Sequence, residues 1–294
     1  MEPCLETDAA LLEKYTRRNS EAAFKALVAR HSAMVHGVCT RVLENRVDAD
    51  DAGQATFIAL ALKAHRLDAS EGLGGWLHRV ARLTALSLRR TSTRRQARNS
   101  ESAWRVTLEN NNPPLAGKLD EAIEALPKKL RATIIEHYLE SVSIEEIARR
   151  YQCTPSAISM RLTRGRELLR NRLNRKGIGF LAATLLADAA EAAKGFNPDF
   201  STLGARTAVA IAKGLTASNG PAAALLALAN RSLRNLLFAK LKWPMAAVAL
   251  GLLAFQLNSI AQIDLTPKAN PAPSAPAKDL PAPAMKPPAD VRPS

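Results

Sequence analysis

The sequence predicts an all-α protein: two helical domains joined by a flexible linker, then an Ala/Leu-rich helical extension carrying a transmembrane helix. Three observations predict it. Aromatic residues make up 4% of a chain that is 47% hydrophobic, so its cores must be built from Leu, Ala, Val and Ile, which suits helix bundles. Apolar residues recur at helical spacing in successive stretches of the first 176 residues. Ser143 and Thr154 stand directly before two such stretches as helix N-caps, the first with Glu146 three residues on and the second with Pro155 following it.

The first domain spans residues 18–98. From Ser20 to Leu43, Phe24, Leu27, Val28, Val35, Val38 and Val42 form a helical stripe with no proline in it. A second helix is expected from Asp48 to Ala64, its early acidic residues favoured by the backbone dipole. Phe57, Ile58, Ala61 and Leu62 supply apolar positions there, with Asp51 and Gln54 on the other side. Gly72 to Gly75 breaks the chain before a third helix, Gly74 to Arg98. Leu77, Val80, Ala81, Thr84 and Leu88 gather on one side of it, and Arg79, Arg82, Arg89 and Arg90 on the other. Seven arginines between Arg79 and Arg98, with no acidic residue among them, repel one another unless a polyanion neutralises them.

Residues 99–118 contain Asn110-Asn111-Asn112-Pro113-Pro114 and read as the linker. The second domain, 119–176, resumes a helical pattern from Asp120 to Glu140 and ends in a helix-turn-helix. In its first short helix Ile144, Ile147 and Ala148 face inward; Tyr151-Gln152-Cys153 breaks the pattern. On the second helix Ile158, Leu162, Gly165 and Leu169 share one face. Ser156, Ser159, Met160, Thr163 and Arg164 point away, flanked by Arg161 and Arg166, which is the polar and cationic surface a helix needs in a DNA major groove.

Residues 177–242 are rich in Ala and Leu, punctuated by glycines and Pro198, and read as several short helices. Residues 243–263 hold 21 residues without a charge, long enough as a helix to cross a hydrocarbon layer of about 30 Å. Arg231, Arg234, Lys240 and Lys242 precede them, which places the N-terminal body on the cytoplasmic side of an inner membrane. A buried or interfacial helix is the other reading of this stretch. Residues 264–294 carry nine prolines and read as an extended tail.

A net charge of +14 and a pI near 10.1 call for a polyanionic partner, nucleic acid or an anionic membrane surface. The N-terminus has neither a basic start nor a long apolar run, so no secretory signal is expected. Cys4, Cys39 and Cys153 form no C-x-x-C pair, and His31, His36 and Cys39 lie on an apolar helix pattern, so neither a metal nor a cofactor is expected. The chain also lacks the phosphate-loop, nucleophile-elbow and zinc-protease motifs, and no enzyme activity is expected.

The segment Leu126 to Leu173, with its Leu-Pro opening, its helix end near Tyr138-Leu139-Glu140, the Ser143 cap and the run Arg161 to Arg166, resembles the fourth conserved region of bacterial sigma-70 family factors, especially the extracytoplasmic-function group. The pattern D-x-x-D-x-x-Q-x-x-F at Asp48, Asp51, Gln54 and Phe57 resembles the most recognisable part of the second region. The resemblance implies a sigma factor that binds core RNA polymerase and directs transcription initiation at promoters. It implies polymerase contacts at Asp48, Asp51, Gln54 and Phe57, and minus-35 DNA contacts at Thr154, Ser156, Ser159, Met160, Arg161, Thr163, Arg164 and Arg166. The arginine helix resembles the family's melting and minus-10 helix, which implies promoter contacts at Trp76, Arg79, Arg82, Arg89 and Arg90. Core packing of Trp76 is the competing reading. The sequence departs from the family pattern at Leu83 and Ser87, and no base contact is carried over to them. An anti-sigma factor and the membrane are further partners to consider.

Two other readings compete. A helix-turn-helix regulator acting without polymerase explains residues 143–173 but leaves the Asp48 to Phe57 pattern and the arginine helix without a purpose. A membrane-attached protein whose basic faces bind anionic lipid explains the charge and residues 243–263, but not the capped helix-turn-helix.

Overall fold

The computed structural model describes residues 6–43, 45–69, 72–99, 115–179, 182–194, 198–214 and 220–236. Residues 243–263, read as a transmembrane helix, and the proline-rich tail lie outside them; among the described residues no helix is long and apolar enough to cross a membrane. The described residues contain helices and no strand.

The first domain opens with a helix the periodicity did not announce. Helix α1, Asp8–Arg18, is capped by Thr7, whose side chain accepts from the Ala10 amide, and stops at Asn19 in a left-handed conformation (φ 49°). Only Leu11 and Leu12 are buried on it, too few to mark it in the sequence. Helix α2, Glu21–Val42, starts at the Ser20 cap and buries the expected stripe. Helix α3, Arg46–Lys63, begins two residues earlier than its acidic run because Asn45 caps it, and a 3-10 turn, Ala64–Arg66, closes it. Helix α4, Gly74–Asn99, packs against both α2 and α3.

Phe24, Leu27, Val35 and Val38 of α2, Ile58 and Leu60 of α3, and Leu77 and Val80 of α4 are fully enclosed at this junction. Each such side chain contributes roughly 1.5–3 kcal/mol relative to exposure.

The second domain comprises α5, Leu115–Glu124; α6, Lys128–Ile134, continued by one π turn, Ile135–Leu139; α7, Ile144–Arg150; and α8, Pro155–Asn174. Two sequence boundaries are corrected here. Helix α5 begins inside the segment read as linker, and the pattern from Asp120 to Glu140 is two helices, because Pro127 cannot continue the first.

The third correction is larger. The two domains are packed on each other, and the extension is packed on the first domain. Helix α9, Ala182–Lys194, lies across α2 and the π turn; α10, Pro198–Ala212, lies along α3 and α2; a last helix, α11, spans 221–236. Helix α3 is therefore covered on two sides, and every residue from Ala55 to Ala61 is buried.

Candidate nucleic-acid interface

The helix-turn-helix is fixed locally. The Ser143 hydroxyl accepts from the Glu146 amide (3.2 Å) and the Thr154 hydroxyl from the Ala157 amide (3.2 Å), so both helix starts are satisfied by the predicted side chains. Between them Gln152 adopts φ 50°, and the Cys153 amide donates to the Ala148 carbonyl, which turns the chain within four residues. Ile158, Leu162, Gly165 and Leu169 are buried as their spacing predicts, joined by Leu173. A Cβ on Gly165 would lie 2.9 Å from Ile134 Cγ1, so α8 approaches α6 more closely than any side chain allows.

The opposite face of α8 is open. Ser156, Ser159, Thr163, Arg164 and Arg166 are exposed, and Met160 is 71% exposed, an unusual position for a thioether. Arg161 is half-buried, and Arg166 donates to the Thr163 hydroxyl (3.2 Å). Thr154 spends its hydroxyl on the cap, so its geometry serves the helix start first.

The arginine face of α4 is divided. Arg90, Arg94 and Arg95 are exposed, while Arg89 is half-buried. Arg79 and Arg82 instead meet Glu124 of α5, Arg79 Nε at 2.9 Å from Oε1 and Arg82 Nη1 at 2.6 Å from Oε2. The sequence reading, which found no acid within the arginine run, missed this partner because it comes from the other domain. Trp76 is half-buried and lines a cavity of about 550 Å³ together with Lys63, Arg66, Arg79, Arg131 and Leu233. Burial and the neighbouring Arg79 push the Arg131 guanidinium below its usual range, a sign of how tightly the cations are crowded there. Trp76 thus packs against the apolar core, as its competing reading expects, and also borders a basic hollow, where an aromatic beside cations can stack an unpaired base.

On α3, Asp48, Asp51 and Gln54 are half-buried along one edge. Partial burial and the neighbouring Asp48 and Asp50 raise the Asp51 carboxyl, so a cationic partner would be welcomed. Phe57 is 0% exposed; a Cβ on Gly204 of α10 would sit 3.6 Å from its ring. Of the four residues assigned to polymerase docking, it is the one the folded chain encloses.

Three acidic residues of the second domain enter basic sockets of the first. Asp120, fully buried, accepts from Arg41 through Nε and Nη2 (2.9 and 2.8 Å) and from His78 Nε2 (3.1 Å). Burial alone would raise its carboxyl, but Arg41 and His78 hold it down at about 2. Glu124 takes Arg79 and Arg82. Glu140 lies 2.7 Å from His31 Nδ1, while Asp8 of α1 lies 3.1 Å from His31 Nε2 and accepts from the Leu73 amide. Burial disfavours charge on His31, yet Glu140 and then Asp8 outweigh it and lift the imidazole to about 10, so both ring nitrogens carry protons.

His31 and Cys39, close in sequence, have separate fates: the histidine holds two carboxylates, and burial raises the Cys39 thiol out of its titrating range. Among the described residues no group of three metal-ligating side chains is gathered.

Residues 27–95 match the family described as Sigma-70 region 2, and residues 116–169 match Sigma-70, region 4. The ECF RNA polymerase sigma-E factor of Salmonella typhimurium (strain LT2) is 31% identical over 187 residues, which take up 57% of this chain and 94% of that protein. The chain belongs to the ECF sigma factors. The sigma-E factor of Haemophilus influenzae is 28% identical over 184 residues, 57% of this chain and 95% of its own length, and the ECF sigma factor SigW of Bacillus subtilis 24% over 177, 54% and 94%. In this sigma factor the two matched regions coincide with the α2–α4 bundle and with α5–α8, and the extension α9 to α11 follows the second match.

Asp8, His31, Arg41, His78 and Glu140 organise the junction between the two regions, and nothing in the sequence pairs them. Their only sequence signal is polarity on otherwise apolar helix faces, which says that a partner exists and not where it is.

Proposed function

We infer that this chain directs DNA-templated transcription initiation by binding core RNA polymerase and placing it at promoters. The observation that carries this reading is the open face of α8, where Ser156, Ser159, Met160, Thr163 and Arg164 are presented by a doubly capped helix-turn-helix in a member of the sigma family. Residues 119–176 read the minus-35 element as duplex in the major groove. Ser156, Ser159, Met160 and Thr163 face base edges, Met160 against a thymine methyl, while Arg161, Arg164 and Arg166 hold phosphates or reach guanine. Thr154 orients this helix.

Residues 18–98 take the polymerase and the minus-10 element. Asp48, Asp51 and Gln54 present the polar edge to the enzyme, with Phe57 completing the site once the outer face of α3 is uncovered. Arg89 and Arg90 track the backbone, joined by Arg79 and Arg82 once Glu124 is withdrawn from them, and Trp76 stacks on an opened base. Residues 243–263 tether the factor to the inner membrane; the support is their length without charge and the basic residues before them.

Run-off transcription with purified core polymerase and the full chain tests the main reading. Promoter-dependent transcripts that vanish when the chain is left out are expected. A chain that shifts promoter DNA by itself and never associates with core enzyme would leave the polymerase-independent regulator as the better account. Fractionation of cells tests the tether, and a full-length protein that stays in the soluble fraction without added salt overturns it.

A further inference from the structure

The second half of helix α3 is apolar on nearly every side. Ala55, Thr56, Phe57, Ile58, Ala59, Leu60 and Ala61 are consecutive and all buried, although α2 and α4 can cover only the inner half of the cylinder. The outer half is covered by α10, which turns Ala205, Ala208, Val209 and Ile211 inward and places Gly204 beside Phe57. Lys213, just past α10, pairs with Glu21 at the start of α2 (2.6 Å). Farther on, α11 is fastened to α4: Thr84 donates to Ser232 (2.8 Å) inside the protein, Arg231 donates to Thr91 (3.2 Å), and Leu233 and Leu236 line the cavity beside Trp76.

The extension therefore lies on both surfaces that initiation requires, the outer side of α3 and the Trp76 side of α4. We propose that α9 to α11 are an intramolecular cover that keeps this sigma factor closed, and that core polymerase must displace them to dock on α3. This rests on the reading of α3 as the polymerase-docking helix.

The contact is built to be reversible. Its small side chains fit closely but remove little apolar area from water per residue, and burial energy scales with that area. A partner that offers larger side chains and cations to Asp48 and Asp51 binds the open form alone, and so shifts the equilibrium toward it. Helix α9, lying across α2 and the π turn of the second domain, makes opening of the extension and separation of the two promoter-reading regions one event.

Two full-length variants test this in run-off transcription and in a core-polymerase binding assay. T84C/S232C brings two thiols to the place of the Thr84–Ser232 hydrogen bond, so oxidation locks α11 onto α4; A208E puts a carboxylate into the α10–α3 contact and opens it. The oxidised double variant is expected to bind core enzyme and initiate about tenfold less than the same protein after reduction, and A208E to exceed wild type. Equal initiation by the oxidised and reduced forms, with the disulfide verified on a non-reducing gel, overturns the cover. If A208E and the reduced double variant both fail to bind core polymerase, the docking reading itself has failed, a result distinct from a cover that makes no difference.

Discussion

Arg41 and Asp120, 79 residues apart, form a two-bond fork with Nε at 2.9 Å and Nη2 at 2.8 Å from the two carboxylate oxygens. The pair joins α2, at the heart of the region 2 match, to α5, the first helix of the region 4 match, and His78 caps the same carboxylate. Its burial makes the geometry consequential: an unpaired charge left here has no water to turn to.

Replacing Asp120 by Ala strands Arg41 and His78, and should lower stability by about 3 kcal/mol. Because the folded carboxyl sits at about 2, below its ordinary 3.8, its contribution is fully present above pH 4 and is lost as pH falls through 2. Thermal unfolding from pH 7 down to 2 should show a steep acid limb in wild type and a shallower one in D120A. Equal acid limbs would mean that another carboxylate dominates.

His31 has the opposite sign. Its folded pKa near 10 lies above the ordinary 6.5, so its stabilisation is complete below about pH 6 and fades as pH rises toward 10. The melting temperature of wild type should fall between pH 7 and 10, whereas H31Q should start lower and change less across that range. A wild-type melting temperature level from pH 7 to 10 would contradict a protonated His31.

Glu136, at the π turn, accepts from the Tyr151 hydroxyl (2.5 Å), but its other oxygen is buried without a hydrogen bond. Burial raises this carboxyl to about 7, against Tyr151 and Arg150, which favour its ionised form. An acid raised in the folded state loses stability as pH climbs from 4.5 through 7. E136Q should therefore be more stable than wild type at pH 8, by about 1 kcal/mol, and similar to it at pH 5. Denaturant titration at the two pH values reads the difference.

On α8, R164A should weaken promoter binding by polymerase holoenzyme on every sequence alike and reduce the salt slope by about one counterion. M160A should instead alter preference at one position of the minus-35 element, by about 1 kcal/mol. Binding measured on a set of single-base promoter variants at two salt concentrations separates them; a uniform loss from M160A would remove its role in base choice.

Much of the recognition unit could be read in the sequence because its determinants are local. Ser143, Thr154 and Pro155 act on amides two or three residues away, and Ile158, Leu162, Gly165 and Leu169 share a face through helical geometry alone. The pattern Asp48 to Phe57 marked α3 in the same way, but could not say that Phe57 would be enclosed. Helix α1 has no such signature, because two leucines in eleven residues make no stripe.

The sequence alone determined where the helices capped by Ser143 and Thr154 begin, which of their faces are apolar, and that a cationic face awaits a polyanion, since each depends on contacts within a turn or two. Only the tertiary structure decided that His31 meets Glu140 across 109 residues, that Glu124 quiets two arginines of α4, and that α10 lies on α3. A buried ionic or apolar face states that a partner is needed, while chain topology, acting over a hundred residues, chooses which one.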